Sequence, residues 1–170
     1  MNDESGVREA QARFWLIARR LEREIASLRD VDERLFPVLE MRMTPKEIGD
    51  LIAIPEGRDR LEAFAARFSR VQDGIVDKLL PSFLAASGER TGSVLDNLRR
   101  AERLDLLEAP ERWLAMRALR NRLVHEYVED PAELAAALTR AHEMTRVLFA
   151  GANAIRSSAF RSFPDEASGG

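Results

Sequence analysis

Residues 120–127 read RNRLVHEY and lie in a stretch whose apolar residues recur at intervals of three and four positions. At about 100° per residue, Met116, Leu119, Leu123 and Tyr127 fall on one face of a helix. We expect this face to pack into a protein interior, with the hydroxyl of Tyr127, the only tyrosine, reaching the rim. The stretch therefore predicts an amphipathic helix.

The same helical period covers nearly all of the chain, and no long stretch alternates between apolar and polar residues as a strand does. We expect helical segments at about Val7–Leu28, Val31–Met43, Pro45–Ile54, Asp59–Ser87, Thr91–Leu104, Pro110–Glu129 and Pro131–Phe160. Short connections between such helices are typical of antiparallel bundles. The sequence predicts an all-α fold, a bundle of four or five antiparallel helices in one domain over residues 1–163, with a small, polar, disordered tail over 164–170.

Prolines, glycines and capping residues mark the predicted boundaries. Thr44 and Glu47 have the spacing of a capping box, with a proline between them at the first helical position. The sequence IPEG at 54–57 predicts a break between two helices. Pro81 should kink or end the long helix that contains it, and Gly88 is a candidate C-cap.

Composition narrows the classes of function. The chain has no cysteine, which excludes disulfides, cysteine-ligated zinc and thiol catalysis. The acidic N-terminus lacks the pattern of a secretory signal, and no apolar run approaches the roughly 18 residues of a membrane span, so we expect a cytoplasmic protein without a membrane partner. Because the net charge is −3, an RNA partner would have to contact a local basic surface.

Polar side chains lie beside the apolar face of the 120–127 helix. Arg117, Asn121 and His125 are four residues apart and form a polar stripe. Arg120 falls at the edge of the apolar arc, about 140° round the helix from His125. A guanidinium there is costly to bury alone, so we expect it to have a partner or to border a groove.

These residue types suit RNA cleavage without a metal. Histidine, with an ordinary pKa near ~6.5, can act as the base for a 2′-hydroxyl or as the acid for a leaving 5′-oxygen. Arg120 could stabilise charge on the phosphoryl oxygens, and Asn121 could orient the imidazole or contact phosphate. Since one helix supplies only His125, a homodimer that packs this helix against its copy would bring two of each residue into one cleft.

Simpler interpretations of these residues stay open. An arginine and a histidine five residues apart are more often a surface feature than a site. Arg67 and Asp73 on the long helix could support the motif or could form an ordinary surface ion pair. His142 is expected on a solvated face of the last helix. The chain has no glycine-rich phosphate loop and no cluster of ligands at metal-binding spacing, so we expect neither cofactor nor metal.

The segment 120–127 resembles the Arg-x4-His-x-Tyr motif of the HEPN superfamily, in particular its HepT-like branch, which also favours a polar residue at the position of Asn121. Asp130-Pro131 and the alanine- and leucine-rich helix after the motif are similar to the same proteins. So are the segment RFSRVQD at 67–73 and the segment LDLL at 104–107. The resemblance covers about Leu61–Ala150.

The resemblance implies a HEPN-type bundle that dimerises with its motif helices lining a cleft. Proteins of this branch are typically metal-independent endoribonuclease toxins that cleave RNA such as tRNA or mRNA. Their usual partner is a minimal nucleotidyltransferase antitoxin, which can silence the toxin by AMPylation of the motif tyrosine. By position, Arg120 and His125 would be catalytic, Asn121 supporting and Tyr127 the modified residue. Apart from the resemblance, Arg117, Arg67 and Asp73 are candidates for a layer of residues around them.

Two alternatives remain at this point. The chain could be a catalytically silent HEPN module that binds a nucleotidyltransferase as its substrate-binding subunit, which its acidic charge favours. It could also be an unrelated helical interaction protein whose motif is accidental. An intact Arg-x4-His-x-Tyr motif argues against the silent module, because an adaptor need not keep all three residues together. The unrelated interaction protein predicts neither a motif-centred dimer nor an effect of replacing Tyr127.

Overall fold

The computed structural model describes residues 2–125 and 130–165, with backbone only for residues 2–4, 124 and 125. In these ranges the chain is helical without strands, which confirms the predicted all-α class. The elements are α1 (Asn2–Leu35), α2 (Pro45–Ala53), α3 (Pro55–Asp73), a π-helical segment (Gly74–Leu79), α4 (Leu80–Ala86), α5 (Val94–Arg103), α6 (Pro110–His125) and α7 (Pro131–Ser162). Because α3, the π-helical segment and α4 follow one another without a break, the described ranges contain six separate helices rather than four or five.

Helix α1 is a single element of 34 residues, so the predicted break after Leu28 is wrong. The apolar stripe continues at helical spacing through Val31 and Leu35, and all three side chains are buried. Between Leu28 and Pro37 the chain contains no glycine or proline, and Pro37 follows the end of the helix. The polar residues between Leu28 and Val31 therefore mark the solvent face of a continuous helix.

The hydrophobic core lies between the two long helices, α1 and α7, and the helices from the middle of the chain. Helix α1 packs along α3 and α4, and α6 packs between α3 and α7. The largest fully buried side chains are Phe14, Phe64, Phe68 and Trp113. Burying one such aromatic side chain contributes on the order of 2 kcal/mol, and these four join α1, α3 and α6 in one core.

Local sequence signals set several boundaries as predicted. The hydroxyl of Thr44 accepts from the backbone N–H of Glu47 at 3.2 Å, and the Glu47 carboxylate accepts from the N–H of Thr44 at 2.8 Å. Gly57 permits the close approach of α2 and α3, because a Cβ there would lie 2.0 Å from the carbonyl oxygen of Leu51. Gly88 has φ +74° after α4, and its N–H donates to the carbonyl of Ala85 at 3.1 Å.

The helix that contains Pro81 does not end there but continues to Ala86. A proline inside an α-helix has no N–H for the carbonyl four residues before it, here that of Asp77, and its ring clashes with that carbonyl. The wider π-helical turn lies immediately before this position, and the N–H of Leu80 reaches back five residues to Ile75. We attribute the π-helical segment to this accommodation of Pro81.

Candidate active site

Arg120 on α6 meets Asp73 at the last position of α3. Its Nη2 lies 2.5 Å from Oδ2 of Asp73, and its Nη1 donates to Oδ1 of Asn121 at 2.6 Å. The side chains of Arg120 and Asp73 are 24% and 28% exposed, so water reaches the pair while most of it is covered. The expectation that this guanidinium needs a partner is confirmed, and the partner is 47 residues away in the chain.

A second ion pair lies about one helical turn along the same contact. Nη1 of Arg117 is 3.0 Å from Oδ1 of Asp77 in the π-helical segment. The order of the two pairs shows that α3 and the π-helical segment run antiparallel to α6. Pairs this exposed contribute at most about 1 kcal/mol each, so they fix the register of the two helices more than they stabilise the fold.

The predicted supporting residues separate in the structure. Asp73 contacts Arg120 directly, and Arg117 lies one turn before it on the same helix. Arg67, two turns earlier on α3, instead donates to the backbone carbonyl of Ser27 at 3.2 Å and lies 3.8 Å from Asp30, both on α1. The fold thus brings Asp73 and Arg117 to the motif and directs Arg67 to another helix.

Asn121, Leu123 and His125 lie in the last turns of α6. Asn121 is exposed beside Arg120, and Leu123 is partly buried against the core. His125 is the last residue of α6, and its side chain lies outside the described part of the chain. Tyr127, with the predicted continuation of the helix to Glu129, also lies outside the described residues.

Arg120 keeps hydrogen-bonding capacity for a ligand. The two terminal nitrogens of a guanidinium carry four hydrogens, and the bonds to Asp73 and Asn121 use two of them. The other two lie in the planar fork that suits a phosphate group. Within the described residues, Nε of Arg120 is buried and has no hydrogen-bond partner. The arrangement therefore holds a guanidinium in a fixed orientation without using all of its donors.

A groove of about 670 Å³ adjoins the motif helix. It lies between α6, the start of α7 and the connection that leads to α2. Leu119 and Arg122 line it from α6, while Arg42 and Arg140 line it from the other two sides. A groove of this size is large enough for a nucleotide.

His142 is buried, so its predicted place on a solvated face of α7 is wrong. Its Nδ1 lies 2.8 Å from Oδ1 of Asp32 on α1, its Nε2 lies 3.1 Å from the carbonyl oxygen of Leu39, and Phe36 stacks on the ring at 4.2 Å. Burial raises the pKa of the Asp32 carboxyl, and the hydrogen bond from His142 opposes this. Leu138 and Thr145, buried at helical spacing from His142, were the signal that could have indicated its burial.

An oxygen lies within hydrogen-bond distance of each ring nitrogen of His142, which limits where the protons of this pair can lie. Either the imidazole is protonated on both nitrogens against an Asp32 carboxylate, or Asp32 carries the proton and donates it to Nδ1. In both arrangements one proton lies between Nδ1 of His142 and the carboxyl of Asp32, and the pair has no net charge. The pair therefore anchors α7 to α1 and to the connection after α1 at Leu39, away from the contact between α3 and α6.

Within the two described ranges, no group of three or more histidine, aspartate or glutamate side chains is placed to hold a metal ion. No described helix is long and apolar enough to cross a bilayer. A scan of protein-family models found no match to this chain, and searches of curated proteins and of solved structures found none either. A function therefore has to be argued from the motif and its geometry.

Proposed function

We propose that the chain is an endoribonuclease of the HEPN type that cleaves RNA without a metal, in a cleft formed by two copies of the motif helix. The observation that carries the proposal is the partly exposed Arg120–Asp73 pair at the Arg-x4-His-x-Tyr motif. It holds a guanidinium at the edge of α6, five residues before His125, with donors left for a phosphate. A groove on the same helix, lined by Leu119 and Arg122 rather than by Arg120, offers further space for a nucleotide.

In the proposed reaction, an RNA 2′-hydroxyl attacks the adjacent phosphorus and the bond from phosphorus to the 5′-oxygen breaks. His125 of one copy takes the proton from the 2′-hydroxyl, and the symmetry-related histidine donates a proton to the departing 5′-oxygen. Arg120 hydrogen-bonds the non-bridging oxygens, where negative charge develops. The products are a 2′,3′-cyclic phosphate and a free 5′-hydroxyl.

Asp73 and Asn121 act on this reaction through Arg120. Asp73 fixes the direction of the guanidinium, which otherwise has several rotatable bonds, and so lowers the entropy cost of aligning it with the phosphate. Asn121 holds the other terminal nitrogen at 2.6 Å. Arg117 pairs instead with Asp77, about one helical turn along the contact between α3 and α6.

We further propose that a minimal nucleotidyltransferase is the partner and that it silences the nuclease by adding AMP to Tyr127. A phosphodiester two residues after His125 would add negative charge beside the cleft and repel the RNA backbone. This regulation is expected in the cytoplasm, with tRNA or mRNA as the substrate. Replacing Tyr127 with phenylalanine should prevent both the mass increase of one AMP and the loss of cleavage when the partner and ATP are added.

A second candidate function is the silent HEPN module that presents substrate to a nucleotidyltransferase. The observation that favours it is the neutralisation of Arg120 by Asp73, in a chain whose net charge is −3. Expression of the chain without its partner separates the two functions. Growth arrest that requires Arg120 and His125 supports the nuclease, whereas normal growth supports the silent module.

The direct test measures cleavage of tRNA, mRNA and total RNA by the purified protein in excess EDTA, after mass spectrometry has shown Tyr127 to be unmodified. We expect Arg120→Ala to lower the rate about 100- to 1,000-fold, as loss of a charge-stabilising donor does. Arg112→Ala is the matched control, because Arg112 is an exposed arginine on the first turn of the same helix, paired with Glu108. Equal rates for the two variants would contradict the proposal.

A further inference from the structure

Four arginines line a cleft of about 500 Å³ at the start of α5, outside the motif helix. Arg90 comes from the connection before α5, and Arg99, Arg100 and Arg103 come from the helix itself. Asp96 is the one acidic residue in the lining, so the cleft has an excess of three positive charges. This concentration is notable because the whole chain carries a net charge of −3.

The cleft is held in shape by a buried asparagine. The side chain of Asn97, only 4% exposed, accepts from the N–H of Gly92 at 2.9 Å and donates to its carbonyl at 3.2 Å. Arg100 donates to the carbonyl of Arg90 at 2.5 Å, which fixes the other end of the connection. A ligand would therefore meet a cleft that needs little ordering, which reduces the entropy cost of binding.

The charges of the cleft are only partly compensated. Glu89 lies 3.3 Å from Nη1 of Arg100, and the side chains of both residues are partly exposed, so water weakens the pair. The carboxylate of Asp96 accepts from the hydroxyl and the backbone N–H of Ser93 in a capping box, which directs it toward the start of the helix. Arg99 and Arg103 are exposed on α5.

The residues that line the cleft indicate which kind of ligand it would bind. Besides the arginines and Asp96 it contains Thr91 and Gly92, and no described residue of the lining has an apolar or aromatic side chain. Protein interfaces bury an apolar centre, and base recognition in single strands relies on aromatic stacking. Arginines that have neither an apolar centre nor aromatic side chains beside them are typical of contacts to backbone phosphates.

We propose that the α5 cleft binds backbone phosphates of the RNA substrate without reading its sequence. This inference rests on the proposed function for its ligand and names a second contact with that ligand, away from His125. It supplies the local basic surface that an acidic protein needs in order to hold RNA. Arg99 and Arg103 make the phosphate contacts, and Arg100 with Asn97 keeps the cleft open.

The test uses the full chain and a short, labelled 2′-O-methyl oligouridylate, which lacks the 2′-hydroxyl nucleophile and is not cut. Affinity is measured over a series of salt concentrations for wild type, for Arg99→Ala/Arg103→Ala and for the control Arg20→Ala/Arg23→Ala. The control removes two exposed arginines of α1, so each double variant lowers the net charge from −3 to −5. Circular dichroism verifies that both variants fold.

We expect the cleft variant to bind roughly tenfold more weakly and its plot of log affinity against log salt to be shallower by about 1.4, the loss of two phosphate contacts on a single strand. The control should match wild type in slope. Equal losses in both variants, or no loss in the cleft variant, would overturn the inference. If wild-type protein cleaves RNA through His125 but the cleft variant binds normally, only the inference fails. If the cleft variant loses binding and wild type never cleaves, only the nuclease proposal fails.

Discussion

Two charged pairs, Arg120 with Asp73 and His142 with Asp32, join distant helices of this molecule but differ in their contact with water. The side chains of the first pair are 24% and 28% exposed, and those of the second are 5% and 10% exposed. The buried pair has a hydrogen-bond acceptor at both ring nitrogens, and Phe36 covers the ring. Within the described residues, the exposed pair leaves three of the five N–H donors of the guanidinium unused, two of them on the terminal nitrogens.

The difference separates a structural pair from a candidate site. A buried pair whose donors are all used can only hold the fold, because a ligand would have to break it at a cost of several kcal/mol. A partly exposed pair with unused donors, such as that of Arg120 and Asp73, can bind an anion while its own contact persists. The chain has two histidines, and this comparison assigns anchoring to His142, so the proposed chemistry would fall to His125.

The largest expected effect on stability comes from His142→Ala. It leaves Asp32 buried without its partner, and breaking a buried pair in this way lowers the free energy of unfolding by about 3–5 kcal/mol. Urea denaturation followed by circular dichroism measures the loss. Glu143→Ala, at the exposed neighbouring position, is the control and should cost under about 0.5 kcal/mol. A loss below about 1 kcal/mol for His142→Ala would show that the pair does not anchor the helices.

A smaller effect is expected from Asp73→Ala. It releases the guanidinium of Arg120 and should lower kcat for RNA cleavage about tenfold, with little change in KM, because alignment is lost and the positive charge remains. The free energy of unfolding should fall by only about 1 kcal/mol. Asp77→Ala, which removes the neighbouring pair, is the matched control.

Asp73→Glu gives a further readout for the role of this carboxylate. If Asp73 positions Arg120, the longer carboxylate should restore part of kcat, while Asp77→Ala leaves kcat near the wild-type value. A variant Asp73→Ala that cleaves as fast as Asp77→Ala would contradict a positioning role. In that case the pair would serve only to register α3 against α6.

The smallest expected effect is the dependence of the free energy of unfolding on pH that Asp32 introduces. Because burial raises the pKa of its carboxyl, the folded chain holds the proton more tightly than the unfolded chain does. This contribution to stability is fully present below the unfolded pKa of about 3.9 and is lost as the pH rises through the folded pKa. The free energy of unfolding of wild type, relative to that of Asp32→Asn, should therefore fall as the pH rises above about 4. A rise over this range would contradict it.

The sequence predicts well what depends on neighbours in the chain. The capping box of Thr44 and Glu47 and the start of α7 at Pro131 follow local rules that distant residues do not alter. The need of Arg120 for a partner also follows from its place at the edge of an apolar arc. The capping box and the start of α7 involve contacts within a few residues, and the need of Arg120 for a partner depends on its position on its own helix.

Features that depend on the packing of distant helices could not be predicted. The sequence offers Asp73 as a candidate supporting residue but does not pair it with Arg120, because only the antiparallel contact of α3 with α6 brings these residues, 47 positions apart, together. The burial of His142 requires α1 to supply Asp32 from 110 residues away. Helix α1 continues only to Leu35, so the short polar interval after Leu28 is not a break, and the predicted helical segment that extends to Met43 is wrong beyond Leu35.

The central claim is that His125 carries out the chemistry while His142 holds the fold. The most direct measurement identifies the terminal groups of RNA after incubation in excess EDTA, once with unmodified wild-type protein and once with His125→Ala. We predict 2′,3′-cyclic phosphate ends for wild type and none for His125→Ala, with both proteins equally stable to urea. Cyclic phosphate ends formed equally by both proteins, or uncut RNA with wild type, would contradict the account.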